Sequence, residues 1–126
     1  MDNEKKIINI LSLSSEERYE YFIRKTVDFE QIWGLYNNGW ATSEFNGGHV
    51  IPFWPEETFA ELCATNEWAH YHPKAISLND FIERWITGMQ TDGHGALIFP
   101  TPHGQGVLVP LSKLKIDLLQ EKEQYE

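Results

Sequence analysis

Apolar residues recur along much of the chain at the spacing of an amphipathic α-helix. The longest stripe lies in the segment 78–89 and consists of Leu78, Phe81, Ile82, Trp85, Ile86 and Met89. Side chains at steps of three and four residues share one helix face, so this stripe predicts a helix with one buried side. Ser77 stands before it as an N-cap, and Ser14 with Glu17 is the capping-box signature of an earlier helix.

Further helices are predicted at both ends and in the middle of the chain. A short helix is expected over residues 3–12, another begins near Pro55, and a terminal helix begins at Pro110. Shorter apolar runs between the helices predict β-strands at residues 32–36, 40–44, 49–53, 74–77, 96–99 and 107–109.

Two turn signals set the expected pairing of the first three strands. Asn38-Gly39 is a strong hairpin signal, because both residue types accept the positive φ of a tight turn. Asn46-Gly47-Gly48 supplies a second turn. The three strands are therefore expected to form an antiparallel meander.

Together these elements predict an α+β fold of two layers, with a mostly antiparallel sheet of about five to six strands and helices mainly on one face. No repeat or linker divides the chain, so a single domain over residues 1–126 is expected. It would comprise N-terminal helices at 1–30, the sheet with two helices at 31–109, and a C-terminal helix at 110–126.

Charge narrows the classes of partner. The 126 residues include 19 acidic and 10 basic side chains, which gives a net charge of −9. From Asp28 to Asp92 there are ten acidic residues and two basic ones. Such a surface repels phosphate backbones and anionic lipid, so neither nucleic acid nor a membrane is expected as a partner. The acidity suits a basic protein partner, although solubility alone also explains it.

The single cysteine and the N-terminal segment predict a cytoplasmic protein. Cys63 has no second cysteine with which to form a disulfide. The apolar run at 7–13 is too short and too polar for a signal peptide or a membrane span.

Aromatic residues accompanied by acids form the candidate binding site. Trp40, Trp54 and Trp68 stand near the ends of predicted elements and outside the periodic stripes, with Glu44 and Glu56 close in sequence. Tryptophan is enriched among interface anchors, and the carboxylates would complement a cationic partner. The alternative is that these rings close the ends of a small core.

His70 and His72 complete the candidate site. In an extended segment, residues two apart point the same way, so both imidazoles could face one metal ion. No spacing indicates a third and a fourth ligand, so no metal or other cofactor is expected. Cys63 lies on an apolar helix face, which favours a buried structural thiol over a nucleophile. Because no catalytic motif is present either, no catalytic residue is assigned.

Three functional hypotheses follow. The leading one is a non-enzymatic, acidic cytoplasmic module that binds another protein, in one version neutralising a basic protein as immunity or inhibitor proteins do. The alternative is a small ligand-binding protein or enzyme with a cleft near Trp40, Trp54, His70 and His72. A homo-oligomer that buries the tryptophan rings is the third.

A set of short motifs in the middle of the chain points to a known family. In chain order they are Trp33-Gly34-Leu35-Tyr36, Gly39-Trp40, Pro52-Phe53-Trp54-Pro55, Ala60-Glu61-Leu62-Cys63, the helix from Leu78 to Trp85, Phe99-Pro100-Thr101-Pro102, Gly104 and Gly106. On these residues the segment from Tyr19 to Val109 resembles a bacterial family known as domain of unknown function 2750. The resemblance implies a small, stand-alone cytoplasmic protein and brings no catalytic residues with it.

Overall fold

The computed structural model describes residues 2–104 and 106–124. The helices are α1 Asp2–Leu11, α2 Ser15–Phe29, α3 Glu57–Leu62, α4 at 78–92 and α5 Leu111–Glu123. The strands are β1 Gln31–Tyr36, β2 Ser43–Phe45, β3 Gly48–Phe53, β4 His72–Ser77, β5 Gly95–Ile98 and β6 Val107–Val109. A short 3-10 helix, Asn66–Trp68, lies between α3 and β4. The expected α+β class is confirmed, with six strands that pair mostly antiparallel and are divided between two sheets.

The caps predicted from sequence begin their helices as expected. The Ser14 hydroxyl accepts a hydrogen bond from the Glu17 amide at 3.2 Å, and the Glu17 carboxylate accepts one from the Ser14 amide at 3.1 Å. The Ser77 hydroxyl accepts a hydrogen bond from the Asp80 amide at 3.1 Å at the start of α4. Each cap satisfies amide groups that the first helical turn leaves without partners.

Helix α4 buries its apolar stripe, but it is not a regular α-helix. Its α-helical ends, Leu78–Asp80 and Ile86–Asp92, flank the π-helical segment Phe81–Trp85. The wider turn stacks the Phe81 and Trp85 rings, with 23° between the ring planes and 6.3 Å between the ring centres. Both rings contact Phe53. The π segment thus fits two large aromatic rings against β3, which a sequence periodicity of 3.6 does not reveal.

The expected three-stranded meander does not form, because β1 pairs with β4. The pairing is antiparallel and runs from Gln31 opposite Ser77 to Tyr36 opposite His72. The first turn is present, with Asn38 at φ 55° and an isolated bridge between Tyr36 and Trp40, but it does not continue into a hairpin. β4 offers all six residues of β1 a partner, whereas β2 has three residues.

The larger sheet has the order β2-β3-β5-β6. β2 and β3 form the hairpin predicted from the second turn, β5 and β6 are antiparallel, and β3 and β5 are parallel. The parallel pair is joined by a long crossover through α3, β4 and α4, as parallel strands require. Two hydrogen bonds between the backbones of Trp33 and Trp54, at 2.9 and 2.8 Å, attach β1 to the end of β3.

Most of the buried apolar side chains of the described residues belong to one cluster. Its members come from all five helices and from five strands, and the fully enclosed aromatic residues are Trp54, Phe22, Phe53, Phe81 and Phe99. The core therefore lies between the sheets and the helices. The surface that remains for function consists of helix faces, sheet edges and the loops.

Candidate functional site

Trp54 is a core residue and not a surface anchor. Its side chain is 0% exposed, and its indole N–H donates a hydrogen bond to the Pro100 carbonyl at 2.8 Å. The ring also contacts Trp68 edge to face at 6.2 Å. The ring does not reach the surface, so Trp54 is not exposed to a docking partner in this conformation.

Trp40 belongs to an aromatic group on the side of β1. Its half-buried ring contacts Tyr36 at 5.1 Å and Trp85 at 4.9 Å, both edge to face. The ammonium of Lys74 lies 4.2 Å from the Tyr36 ring centre and 5.6 Å from that of Trp40. A Cβ at Gly34 would lie 2.9 Å from the Trp40 ring, so this ring is seated directly on the β1 backbone. The aromatic faces here already hold a cation of the protein itself.

Trp68 and Glu44 line a small cleft of about 240 Å³. Its walls come from β2, the 3-10 helix and the loop after β5, and include Phe45, Cys63 and Thr101. The cleft lies below the usual size of a small-molecule pocket. Neither Trp40 and Trp54 nor His70 and His72 contribute to its walls, so the cleft expected near those four residues is not the one observed.

Glu56 is engaged within the protein. Its half-buried carboxylate accepts a short hydrogen bond from the Tyr21 hydroxyl, which joins the start of α3 to α2. Burial, followed by this contact with a carboxylate, raises the pKa of the Tyr21 hydroxyl far above its ordinary value. The bond gives Glu56 a structural partner, so it is less available to a cationic ligand than a free surface acid.

His70 and His72 are exposed, one in the loop before β4 and the other at the first position of that strand. Among the described residues, no group of three or more histidine, cysteine, aspartate or glutamate side chains is arranged to hold a metal ion. A different pair of imidazoles, those of His49 and His94, does approach, with ring centres 6.3 Å apart. No sequence spacing connects these two, because the parallel pairing of β3 with β5 brings them together.

The thiol of Cys63 is buried, as its sequence position indicates. It donates a hydrogen bond to the Pro100 carbonyl at 3.3 Å, the same oxygen that accepts from the indole of Trp54. Burial raises the pKa of the Cys63 thiol to about 11. A nucleophilic cysteine requires the opposite shift, since the thiolate is the reactive form.

A second concave surface, several times larger than the cleft beside Trp68, is a groove that the sequence did not predict. It has a volume of about 1090 Å³ and lies between the first half of α2, strand β6 and helix α5. Its apolar wall is formed by Leu13, Ile23, Val107, Leu108 and Val109. Its charged residues are the acids Glu16, Glu17, Glu20, Asp117 and Glu121 and the bases Arg24 and Lys113. We call this surface the α2–β6–α5 groove.

Two of the groove's charges neutralise each other. The ammonium of Lys113 and the hydroxyl of Tyr19 each donate to the Asp117 carboxylate at 2.6 Å. Burial opposes ionisation of Asp117, but these donors hold its pKa below the ordinary value. The Lys113 ammonium also lies 4.9 Å from the Tyr19 ring centre. The bond from Tyr19 to Asp117 thus joins α2 to α5.

Three carboxylates of the groove are left without a partner in the described part of the chain. Glu17 is used by the capping box and Asp117 by Lys113, whereas Glu16, Glu20 and Glu121 have neither a hydrogen bond nor an ion pair. Glu16 and Glu20 are one helical turn apart on α2, so they share a face. Glu121 approaches from α5. The groove thus combines an apolar wall with negative charges that the fold does not use.

Sequence reasoning missed this groove because neither helix is acidic as a whole. Helix α2 contains Arg18, Arg24 and Lys25 beside its acids, and α5 contains three lysines. The acids face the groove only because of the way the two helices pack together. The available signal was the four-residue spacing of Glu16 and Glu20, which places both on one helix face.

The fold and this surface define a class: an α+β protein with an acidic, partly apolar groove between two helices and a sheet edge. None of the helices in the described ranges has the length and apolar character needed to cross a membrane. Over residues 19–118 the chain matches the family described as protein of unknown function, DUF2750, and it belongs to that family. The resemblance predicted from the sequence is therefore confirmed. No curated protein matches the chain.

Proposed function

We propose that the protein is a non-enzymatic binding module that docks a positively charged polypeptide segment in the α2–β6–α5 groove. The observation that carries this proposal is the set of three carboxylates, Glu16, Glu20 and Glu121, which lie beside an apolar wall and have no side-chain partner among the described residues. An anionic groove attracts a cationic partner over distance, and the apolar wall gives that partner a surface to bury.

Charge alone would not hold such a partner tightly. An exposed ion pair contributes about 0.2–1 kcal/mol, so three pairs contribute about 0.6–3 kcal/mol. The rest of the affinity has to come from apolar contact, and Leu108 supports this because its side chain is 43% exposed at the groove. The proposed partner therefore carries both basic and apolar side chains.

A catalytic role has less support. The described lining of the groove includes no histidine or cysteine. The buried thiol of Cys63 lies in the other cavity, and the raised pKa disfavours its reactive form. The imidazoles of His70 and His72 are on a different segment and line neither cavity. The proposed module is accordingly assigned no catalytic residue and no cofactor.

We also propose that the protein acts in the cytoplasm. A cytoplasmic location is consistent with a single, buried cysteine. The net charge of −9 disfavours nucleic acid and anionic lipid as partners. Neutralisation of a basic protein, in the manner of an immunity or inhibitor protein, is one form that the function would take, and charge and size support it.

The test compares charge removal inside and outside the groove. The probe is a fluorescent peptide of alternating lysine and valine residues, with binding followed by fluorescence anisotropy at low and at physiological salt. One variant carries Glu16→Gln, Glu20→Gln and Glu121→Gln. The control carries Glu57→Gln, Glu61→Gln and Glu83→Gln, three exposed acids outside the groove, and it has the same net charge.

We expect the groove variant to bind the probe about tenfold or more weakly than the wild type, since three pairs of about 0.5 kcal/mol or more are lost. The control should change by less than threefold. Added salt should weaken wild-type binding strongly and that of the groove variant only slightly. Equal losses of binding affinity in the two variants would show that the probe responds to net charge alone. The groove would then not be the binding site.

The alternative of a small-ligand site is supported by one observation, the cleft beside Trp68 and Glu44. A half-buried indole and a free carboxylate would suit a small organic cation. Quenching of Trp68 fluorescence by tetramethylammonium would test it, with Trp68→Phe as the reference protein. Unchanged fluorescence at millimolar concentrations would count against this alternative.

A further inference from the structure

Strand β6 forms an open edge of the larger sheet, and its three residues line the groove. Edge strands present backbone groups with which another strand can pair, and proteins commonly guard them with charged residues or proline. Val107, Leu108 and Val109 carry no charge, and Pro110 follows only after the strand has ended. The strand is short, at three residues, but within the groove it carries neither a charged side chain nor a proline.

The register of the sheet shows which backbone groups point outward. The Phe99 amide donates to the Phe53 carbonyl, so odd-numbered residues of this segment direct their backbone groups toward β3. The direction of the backbone N–H and C=O groups alternates along a strand, so those of Ala96 and Ile98 point toward β6. Their partners are Val109 and Val107.

Leu108, which lies between those two residues and opposite Leu97, must therefore direct its N–H and C=O away from β5. Neither group makes a hydrogen bond within the part of the chain that the structure describes. The side chain of Leu108 is also 43% exposed. One residue thus offers a donor, an acceptor and an apolar side chain to the groove.

We propose that the groove binds its partner as an added β-strand, in which one partner residue pairs with both backbone groups of Leu108. This inference rests on the proposed function and names the conformation of the segment that is bound. Strand addition obtains affinity from main-chain hydrogen bonds and specificity from alternate side chains.

The spacing of the acids fits an extended basic segment. Alternate side chains of a strand lie about 6.6 Å apart, and side chains one helical turn apart, such as Glu16 and Glu20, lie about 6 Å apart. A strand with a basic residue at every second position would thus present its cations at the spacing of these carboxylates. The residues between them would face the apolar wall.

A second copy of this chain is a poorer occupant. It would bring its own Glu16, Glu20 and Glu121 to the contact, so that carboxylates would face carboxylates. Like charges held close together are unfavourable, and a basic segment removes this repulsion. The occupant is therefore a basic, extended polypeptide and not another copy.

The experiment uses the peptide acetyl-Lys-Val-Lys-Val-Lys-Val-Lys-amide as the probe and amide hydrogen exchange by NMR as the readout. In the free protein, we expect the Leu108 amide to exchange at least tenfold faster than those of Val107 and Val109, which are bonded to β5. With the probe bound, the Leu108 amide should become protected while the other two change little. N-methylation of the probe's central residue should weaken binding about threefold to tenfold.

Two variants separate the backbone from the side chain. Leu108→Ala removes the apolar side chain and keeps the N–H, whereas Leu108→Pro removes the outward N–H without removing a bond to β5. The proline variant should bind the probe several-fold more weakly than the alanine variant. Thermal unfolding of both variants verifies that they are folded, and the exchange measurement on the wild type does not depend on either of them.

Three outcomes would contradict the proposal of strand addition. If the probe binds and the Glu16, Glu20 and Glu121 variant loses it, but Leu108 stays unprotected, the groove binds its partner without strand addition, and only this inference fails. If the probe does not bind, or binds the variant as tightly as the wild type, the proposed function fails as well. If Leu108 becomes protected as the protein concentration rises without probe, the edge is a contact between copies.

Discussion

The substitution Trp54→Phe provides a direct test of the structural role of this tryptophan. The indole of Trp54 is fully enclosed and donates a hydrogen bond to the Pro100 carbonyl at 2.8 Å. Phenylalanine keeps an aromatic ring in the site but lacks the N–H. The Pro100 carbonyl would then keep only the weak donor of the Cys63 thiol at 3.3 Å.

Two contributions set the expected loss of stability. Loss of the buried hydrogen bond costs about 1–1.5 kcal/mol. The smaller ring leaves a void beside Trp68, which adds about 1–2 kcal/mol. The free energy of unfolding should therefore fall by about 2–3.5 kcal/mol, a large part of the 5–15 kcal/mol that is typical of a domain.

Urea denaturation, followed by circular dichroism, measures this loss. With a slope of about 2 kcal/mol per molar urea, the midpoint should fall by about 1–2 M while the slope itself stays constant. Trp68→Phe is the matched control, because this half-buried ring makes no side-chain hydrogen bond to any described residue. The loss of stability in this variant should stay below about 1 kcal/mol. A wild-type midpoint in Trp54→Phe, together with weaker binding of the lysine–valine probe, would refute the structural reading and restore Trp54 as a binding residue.

Three further predictions concern backbone strain, alkaline pH and the thiol. Gly106→Ala should destabilise the fold by about 2–4 kcal/mol in urea denaturation, because a Cβ there would lie 2.8 Å from the Pro100 nitrogen. Gly47→Ala, with nearly the same φ and open space around it, should cost only about 1 kcal/mol, and equal losses would contradict the close approach. The pKa of Tyr21 is higher in the folded than in the unfolded state, so its contribution to stability is complete below about pH 10 and is lost above it, by up to about 1.4 kcal/mol per pH unit. Unfolding measured from pH 8 to 11 should show this decline, to which Tyr19 and Cys63 also contribute because their pKa values are raised in the folded state. Tyr21→Phe should therefore make the decline shallower without abolishing it, and an equally steep decline in that variant would refute the assignment. Because the thiol pKa is raised from 9.0 to about 11, Cys63 should react with an aromatic disulfide reagent at pH 8 at least a hundredfold more slowly in the folded protein than in denaturant, and comparable rates would mean that the thiol is accessible.

Local features of the sequence predicted most of the elements. The capping box at Ser14, the N-cap at Ser77 and the apolar stripe of α4 depend on residues within a few positions of one another, so their physical basis lies within a single helix. The turn at Asn46 and Gly47 likewise defines the β2–β3 hairpin through positive φ angles of 52° and 81°. In these cases local preference and global fold agree.

The binding residues were harder to predict, because exposure is decided by packing between distant segments. Trp54 and Trp40 both stand near the ends of predicted elements, yet one ring is enclosed and the other rests half-buried on Gly34. The acids of the groove lie on helices whose overall composition is mixed. Only the packing of α2 against α5, held by Tyr19, Asp117 and Lys113, brings them to one surface.

The sequence by itself determined the α+β class, the positions of the helices and the family, since these follow from periodicity, caps, turns and short motifs along the chain. Only the tertiary structure decided that β1 pairs with β4, that β3 and β5 run parallel, and that β6 is left as an open edge beside three free carboxylates. Strand pairing joins residues far apart in the chain, and the partner that buries the most surface prevails over the local turn signal. The groove exists because of those long-range choices.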